Sequence, residues 1–291
     1  MGRILNFGSL NIDYVYKVEH FVSAGETLSS DSLDVNCGGK GLNQSIAAAK
    51  AGATVYHAGA IGSDGGMLAD ILEQNGVNTD YLKRIDSPNG NAIIQVDRSG
   101  QNCILLFAGS NHSITEQQVD ETLAGFGEGD YLFLQNEINL IPYIMKKAYE
   151  RGIRIVFNPS PITEGIKDFP IEKVYLLILN EIEGAALGGA GDADGILDTL
   201  REKYPNTNVL LTLGSDGSVY YDGEKKLRQG IYKVKAVDTT AAGDTMMGYF
   251  AAGLAAGKDP AEALDTAAKA SSITVSRHGA AKSIPTYDEL F

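Results

Sequence analysis

A short run near the C-terminal end of the chain, Asp238-Thr239-Thr240-Ala241-Ala242-Gly243-Asp244, joins small residues to two aspartates. An apolar helical pattern follows directly, so the backbone N–H groups of the small residues are predicted to point into open space at a helix start, where they can hold an anion. A carboxylate is unfavourable in an anion site unless it does chemistry there. We therefore predict that Asp244 takes a proton from a hydroxyl while the N–H groups of Ala241, Ala242 and Gly243 stabilise a phosphoryl group during transfer.

The same run also suits an ordinary turn, because Asp and Thr cap helices and Gly and Ala tolerate tight backbones. Phosphoryl transfer, however, asks little of its base, since the transition state is loose and positioning and charge stabilisation dominate. Seven suitable positions at the mouth of a helix favour the catalytic interpretation.

A second motif, Gly38-Gly39-Lys40-Gly41-Leu42-Asn43-Gln44, lies near the N-terminus. Its glycines allow a ligand to approach the backbone, and Lys40 and Asn43 supply hydrogen-bond donors to hydroxyls. The motif lacks the GxGxxG spacing and no strand is predicted directly before it, which disfavours a nicotinamide oxidoreductase. Asn11 and Asp13 follow the first predicted strand, at the end where parallel strands place ligands.

The elements that must position these motifs alternate between strands and helices. The predicted strands are 3–10, 13–20, 54–60, 91–96, 103–107, 131–135, 153–158, 174–180, 209–212, 219–221 and 227–229, and the predicted helices are 45–51, 67–74, 115–123, 140–151, 181–187, 193–204, 242–256 and 261–276. This alternation predicts an α/β fold with a mostly parallel, Rossmann-like sheet flanked by helices on both faces. We predict a single domain, 1–291, in which 12–36 and 89–108 form a small β-sheet lid. Within the lid, the turn Asp97-Arg98-Ser99-Gly100 is predicted to join strands 91–96 and 103–107 in a hairpin.

Composition narrows the functional classes. The chain has 291 residues, a net charge of −13 and 44% hydrophobic residues, and it has no basic cluster, so nucleic acid and membranes are disfavoured as partners. Its apolar runs are too short to span a bilayer and the N-terminus lacks a signal-like segment. Cys37 and Cys103 form no CxxC pair and the four histidines show no metal-ligand spacing. We therefore predict a cytoplasmic protein.

Both motifs resemble signatures of one family. The run from Asp238 to Asp244 resembles the C-terminal signature of the PfkB sugar kinases, in the form seen in ribokinases, and Gly38–Gln44 resembles the N-terminal one. The resemblance extends from the first strand through Ser283-Ile284-Pro285 and implies the ribokinase-like fold with a β-lid. It further implies transfer of the γ-phosphoryl group of ATP to a primary sugar hydroxyl, with Asp244 as base.

The acceptor is left partly open by the resemblance. Ribose, phosphorylated on O5, is the leading acceptor. Fructose, 2-keto-3-deoxygluconate, tagatose phosphate and nucleosides remain open as other acceptors. A non-catalytic sugar-binding regulator on the same scaffold is the alternative from another functional class.

The resemblance also assigns binding residues. The sugar side would comprise Asn11, Asp13, Gly39, Lys40, Asn43, Glu137 and Asp244, and the nucleotide side Asn180, Thr212, Gly214, Ser215, Gly217, Gly243 and Ala268. Glu183, in an NxxE-like motif, would hold Mg²⁺ through water. A K⁺ activator would bind Asp238, Thr240, Thr274, Arg277, Gly279 and Ser283. Ala268 replaces a polar residue that ribokinases often carry, which predicts a permissive base site, and the lid strands are expected to pair in a homodimer.

Overall fold

A computed structural model describes residues 2–189 and 191–291 of the chain. The strands in this part are β1 (Ile4–Phe7), β2 (Asn11–Lys17), β3 (Ser32–Gly38), β4 (Val55–Ile61), β5 (Asn78–Arg84), β6 (Gly90–Val96), β7 (Asn102–Phe107), β8 (Tyr131–Gln135), β9 (Arg154–Asn158), β10 (Leu176–Asn180), β11 (Asn208–Thr212), β12 (Ser218–Tyr221) and β13 (Lys226–Gln229). The helices are α1 (Lys40–Lys50), α2 (Gly66–Gln74), α3 (Glu116–Leu123), α4 (Ile141–Glu150), α5 (Glu181–Gly188), α6 (Ala193–Lys203), α7 (Ala242–Ala255) and α8 (Pro260–Val275).

The main sheet has nine strands in the order β13-β12-β11-β10-β9-β8-β1-β4-β5. The strands from β11 to β5 are all parallel, and β12 and β13 continue the sheet in antiparallel pairing. Neighbouring residues of a strand face opposite sides of the sheet. Ile4 accordingly packs in the core under α1, α2, α7 and α8, and Leu5 in the core under α3 to α6. The predicted α/β architecture with helices on both faces is confirmed.

A separate four-stranded sheet, here called the small sheet, has the order β3-β2-β6-β7. Strand β2 pairs antiparallel with β3 and parallel with β6, and β7 completes the predicted hairpin with β6. Asn11 lies level with Gly38 and Gly90, and Asn91 lies opposite Phe107. All four strands therefore join the core at the same end of the small sheet.

The start of α1 differs from the prediction. Strand β3 ends at Gly38, so a strand does directly precede the glycine motif, and α1 begins at Lys40 instead of residue 45. Gly39 turns the chain with a φ of 95°, which favours glycine. The N–H of Lys40 donates to Glu137 Oε2 at 3.1 Å, so a carboxylate from a distant segment caps the helix. Two sequence arguments disfavoured a nicotinamide oxidoreductase, and the one that no strand precedes the motif is wrong. The missing GxGxxG spacing remains as the other.

Strand β5 was not predicted. Its sequence, Asn78–Arg84, is mostly polar, and among the strands of the described residues it pairs with β4 alone, at the edge of the main sheet. The first strand ends at Phe7, three residues earlier than predicted, so that Asn11 opens the small sheet. Among the described residues no helix has the length and apolarity to cross a bilayer.

Candidate active site

The N-terminus of α7 has an unusual backbone. Ala241, which precedes the helix, has a φ of 62°, a left-handed conformation that costs a residue with a Cβ about 1–3 kcal/mol. The N–H of Ala242 donates to the Thr239 carbonyl at 3.3 Å, whereas no described residue accepts from the N–H of Gly243. A Cβ added to Gly243 would meet no atom within 4 Å. The glycine therefore faces open space, and the strained turn aims backbone donors into it.

Asp244 lies in the first turn of α7 and is 8% exposed. Its Oδ2 accepts a hydrogen bond from Asn43 Nδ2 at 3.0 Å, and its Oδ1 accepts one from Gln44 Nε2 at 2.9 Å. Both donors belong to α1, so the two sequence motifs meet at this carboxylate. The helices approach closely because Gly248 of α7 has no Cβ, which would lie 2.4 Å from the Cβ of Ala47.

A cavity of about 230 Å³, here called the phosphoryl cavity, opens at this helix start. It is lined by Lys40, Asn158, Ser160, Ile178, Leu179, Asn180, Glu183, Thr212, Thr239, Ala241, Ala242, Gly243, Asp244 and Met247. Burial alone would lower the pKa of Lys40, but the carboxylates of Asp244, Glu137 and Glu183 raise it above its ordinary value. Lys40 is therefore a cation at neutral pH, and it lies on the phosphate side as well as beside the predicted sugar residues.

Glu183 and Asn180 form a reciprocal cap at the start of α5. Glu183 Oε2 accepts from the Asn180 N–H at 3.0 Å, and Asn180 Oδ1 accepts from the Glu183 N–H at 2.9 Å. The motif thus has a structural role, and it also brings a carboxylate to the phosphoryl cavity. A single carboxylate with room for water suits Mg²⁺, which keeps much of its hydration shell. The described residues contain no cluster of three or more His, Cys, Asp or Glu side chains arranged to hold a metal.

The other predicted sugar residues converge from three elements. Asn11 Oδ1 accepts a hydrogen bond from Asn111 Nδ2 at 2.7 Å. This bond fixes the orientation of the Asn11 amide and leaves its Nδ2 able to donate to a ligand. Burial, and secondarily the charge of Glu137, raise the pKa of Asp13 to about 7. A Cβ on Gly38 would lie 1.9 Å from Asp13 Oδ2, so this glycine makes room for the carboxylate.

Glu137 has one carboxylate oxygen committed to protein contacts. Its Oε2 accepts from the Ser9 hydroxyl and from the Lys40 N–H, and burial raises its pKa although Lys40 and Ser9 oppose the shift. We call Asn11, Asp13, Asn43, Glu137 and Asp244 the acceptor side.

The donor side is a wider cavity of about 410 Å³ next to the phosphoryl cavity. Its walls are Thr212, Gly214, Ser215, Gly217, Ser218, Gly230, Ile231, Tyr232, Val234, Ala236, Thr239, Ala242, Gly243, Met246, Ala268, Ser271, Ser272 and Val275. It shares Thr212, Thr239, Ala242 and Gly243 with the phosphoryl cavity, so the two are continuous. Gly217 is required by the turn itself, because its φ is 92° and a Cβ there would lie 2.1 Å from the Gln229 carbonyl oxygen.

The residues of the predicted cation site come from two segments that the fold joins. Asp238 Oδ1 accepts from the Thr240 N–H at 2.9 Å, and Oδ2 accepts from the Gly279 N–H at 3.0 Å. Burial alone would raise the pKa of Asp238, but these hydrogen bonds hold it below its usual range. Ser283 and Thr274 are fully buried beside the same segment, and the Thr274 carbonyl accepts from the Arg277 N–H at 3.1 Å.

Several functional candidates were missed by sequence reasoning. Ser9 holds Glu137, and Asn111 holds Asn11. Gln44 was part of a quoted motif but had no role assigned. A usable signal existed for two further residues, because Asn6 of β1 and Gln135 at the end of β8 are polar residues of otherwise apolar strands and are fully buried. Ser9, Asn111 and Gln44 lie outside the strands, so this signal does not find them.

Comparison with known proteins finds relatives that match nearly the whole length of the chain. The family model described as pfkB family carbohydrate kinase matches residues 1–287. The ribokinase of Haemophilus influenzae is 34% identical over 97% of this chain and 95% of its own length, and that of Schizosaccharomyces pombe is 35% identical over 100% and 97%.

Solved structures agree with these relatives. The ribokinase of Cryptococcus neoformans var. grubii serotype A in complex with ADP superposes with a TM-score of 0.88 at 36% identity, covering 100% of this chain and 99% of that one. The Arabidopsis thaliana ribokinase complexed with ribose and ATP gives a TM-score of 0.88 at 28% identity, covering 100% and 98%.

Proposed function

The chain belongs to the pfkB family of carbohydrate kinases, and we propose that it transfers the γ-phosphoryl group of ATP to O5 of D-ribose. Membership makes it a phosphotransferase with an alcohol group as acceptor. The observation that carries the proposal is Asp244, a buried carboxylate held by two amides of α1 beside unengaged backbone donors of α7. Ribose is favoured over other acceptors because the full-length relatives and solved structures reported above are ribokinases.

The residues divide the reaction between them. Asp244 accepts the proton of the sugar hydroxyl, which needs little activation because phosphoryl transfer has a loose transition state. The N–H groups of Ala241 and Gly243, with the weaker donor of Ala242, stabilise the transferred group. Lys40 supplies a fixed positive charge between the two substrates.

Mg²⁺ and K⁺ have different proposed positions. Glu183 would hold Mg²⁺ through water, where the ion neutralises phosphate charge. Asp238, with the segment from Thr274 to Ser283, would hold K⁺ and so steady the turn at Ala241. Replacing K⁺ by a large organic cation should lower kcat by about tenfold or more if the ion orients backbone donors in the transition state. Unchanged turnover in the organic cation would remove the K⁺ proposal.

The small sheet is proposed as a lid and as the site of homodimerisation. Its strands expose apolar side chains, with Leu33 47%, Ile93 40%, Leu105 67% and Phe107 52% exposed. An apolar surface of this kind is costly in water and marks an interaction site. We expect light scattering at working concentration to give the mass of a dimer, and a monomer mass would contradict this assignment. A cytoplasmic location is proposed from the free thiols of Cys37 and Cys103.

An acceptor screen tests the proposed function. ATP consumption should be measured with D-ribose, 2-deoxy-D-ribose, fructose, 2-keto-3-deoxygluconate and inosine, and the product of the best acceptor should be identified by its phosphorylated position. We expect kcat/KM for ribose to exceed the other values by about tenfold or more, because hydroxyls left unmatched in a polar site cost about 1–3 kcal/mol each. A better acceptor among the others would replace ribose, and no turnover with any would favour the regulator.

A further inference from the structure

We infer that Gln44 and Gln135 are positioning residues, which hold Asp244 through a buried chain of side-chain hydrogen bonds that runs back to His57. The inference rests on the proposed function, in which Asp244 is the base. Five side chains form this series of hydrogen bonds, here called the amide relay, and none of them is more than 1% exposed: Gln44, Gln135, Asn6, Ser45 and His57.

The first link fixes the orientation of Gln44. An ionised carboxylate only accepts hydrogen bonds, so the group that lies 2.9 Å from Asp244 Oδ1 is the Gln44 amide nitrogen. The Gln44 Oε1 then faces away and accepts from Gln135 Nε2 at 2.7 Å. Neither glutamine lines the phosphoryl cavity or the donor-side cavity, so neither is placed to contact nucleotide.

The second link is the branch point of the relay. Gln135 Nε2 donates both to Gln44 Oε1 and to Asn6 Oδ1, the latter at 3.0 Å. Its own Oε1 is buried and has no partner among the described residues. Gly8 is the neighbour that makes room, since a Cβ there would lie 2.6 Å from that oxygen. An unpaired buried carbonyl oxygen lowers the stability of the fold by about 1–3 kcal/mol. A glutamine that carries this cost is expected to serve a function, which here is to orient Gln44.

The far end of the relay has a single consistent set of donors. Asn6 Nδ2 donates to the Gly41 carbonyl at 2.8 Å and to Ser45 Oγ at 2.9 Å, and Ser45 Oγ lies 2.7 Å from His57 Nδ1. Burial lowers the pKa of His57 to about 4, so the ring is neutral at pH 7. His57 Nε2–H therefore donates to the Gly8 carbonyl at 3.2 Å, and Nδ1 accepts from the Ser45 hydroxyl. With the tautomer fixed, every amide between His57 and Asp244 has one orientation.

Such fixed orientation is needed because Asp244 has competing partners. Lys40 and the unengaged N–H of Gly243 line the same cavity and attract the carboxylate. Each would turn it away from the acceptor hydroxyl. The amide relay, together with Asn43, gives each Asp244 oxygen a hydrogen-bond donor from α1 that opposes this turn. Loss of the relay should therefore reduce kcat more than it weakens either substrate's binding.

The test compares Gln44→Met, Gln135→Leu and the double variant with a matched control. We expect kcat to fall about 10–100-fold in Gln44→Met, since a misplacement of about 1 Å costs this much, with KM for sugar and ATP within about threefold. Because Gln135 acts only through Gln44, adding Gln135→Leu to Gln44→Met should lower kcat no further. The control is Gln118→Leu, since Gln118 is also buried, donates to the Gly59 carbonyl at 2.6 Å and has an unpartnered Oε1.

The outcomes separate the inference from the function on which it rests. Gln118→Leu should change the melting temperature and leave kcat as in the wild type. A Gln44→Met enzyme with wild-type kcat, or losses that add independently in the double variant, would overturn the relay. Wild-type turnover in Asp244→Asn would instead overturn the base. If Gln44→Met does not fold, Gln44→Asn keeps an amide but withdraws it from Asp244, and the same loss of kcat is expected.

Discussion

The two sides of the active-site cleft are built on different principles. On the acceptor side, side chains are fixed by hydrogen bonds from distant elements, as Asn43 and Gln44 fix Asp244. The donor side is a cavity of about 410 Å³ bounded by backbone, apolar and hydroxyl groups, and none of the described residues that line it is charged. If the acceptor and the nucleotide bind as proposed above, the acceptor is selected by polar groups that are costly to leave unpaired, and the nucleotide mainly by shape.

The strongest test of the acceptor side is Asp244→Asn. We expect kcat to fall about 10²–10⁴-fold, because the amide cannot accept the proton, while sugar binding is retained. Turnover should be measured under saturating substrates and sugar binding by calorimetry. Asp259→Asn, a change at the N-cap of α8 outside the cleft, is the matched control and should leave kcat unaltered. Equal turnover in wild type and Asp244→Asn would remove the base and with it the contrast between the two sides.

Gly243→Ala tests the shared wall between the two sides. The added methyl group meets no protein atom within 4 Å, so the fold should survive while the methyl occupies the space of the transferred group. We expect kcat/KM for ATP to fall about 10²–10³-fold, comparable with loss of one oxyanion donor. Gly66→Ala, where the methyl group also meets nothing within 4 Å, is the control. A normal rate in Gly243→Ala would move the phosphoryl group elsewhere.

The pH dependence of sugar binding should follow Asp13. Its pKa of about 7 means that the carboxyl protonates within the working pH range. The ionised form accepts hydrogen bonds from hydroxyls better, so KM for the sugar should rise by up to about tenfold over about one pH unit below the pKa. Asp13→Asn should abolish this change. A KM that stays constant across this range would show that Asp13 does not bind the sugar as an ion.

The same group links stability to pH. The folded-state pKa of Asp13 lies above its unfolded value, so its stabilising contribution is complete below the unfolded pKa and is lost as the pH rises through about 7. The wild type should therefore lose stability relative to Asp13→Asn as the pH rises from about 4 to about 7, with no further loss above that range. The melting temperatures should diverge by about 2–4 °C per kcal/mol lost. No divergence would indicate that the Asp13 carboxyl is not destabilised in the free protein.

The smallest effect is expected on the donor side. ATP, GTP and CTP should support kcat/KM values within about tenfold of one another, since Ala268 and its apolar neighbours offer no charged partner to the base. Ala268→Asn should widen that range by adding a directional group. A preference for ATP of about 10³-fold or more in the wild type would show that backbone groups read the base, and the contrast between the two sides would fail.

Much of the fold followed from local patterns. The alternation after residue 115 predicted the parallel sheet, and the Asp97–Gly100 turn predicted the hairpin of β6 and β7. What failed depends on contacts between distant segments. The early start of α1 is capped by the carboxylate of Glu137, and the edge strand β5 has no apolar pattern because its residues are half-buried or exposed throughout.

The candidate site was predicted unevenly for the same reason. Both motifs identified residues that the structure brings together, such as Asn43 and Asp244. The amide relay could not be predicted from the sequence. Its members come from β1, α1, β4 and β8, and their hydrogen bonds exist only once these elements have packed together. A single polar residue in an apolar strand signals that a buried partner exists, but its identity follows only from the strand order of the sheet.

All four strands of the small sheet join the core at one end, so the sheet is held at that end and projects from it like a cantilever. Strand β2 has seven residues, so its free end near Lys17 lies about 20 Å from the pivot at Asn11. A rotation of about 10° would then sweep the free end through about 4 Å while Asn11 barely moves. For the lid proposed above, this leverage would separate two tasks: the far end of the small sheet would open and close the entrance to the cleft, while the groups beside Asn11 would stay in contact with the ligand.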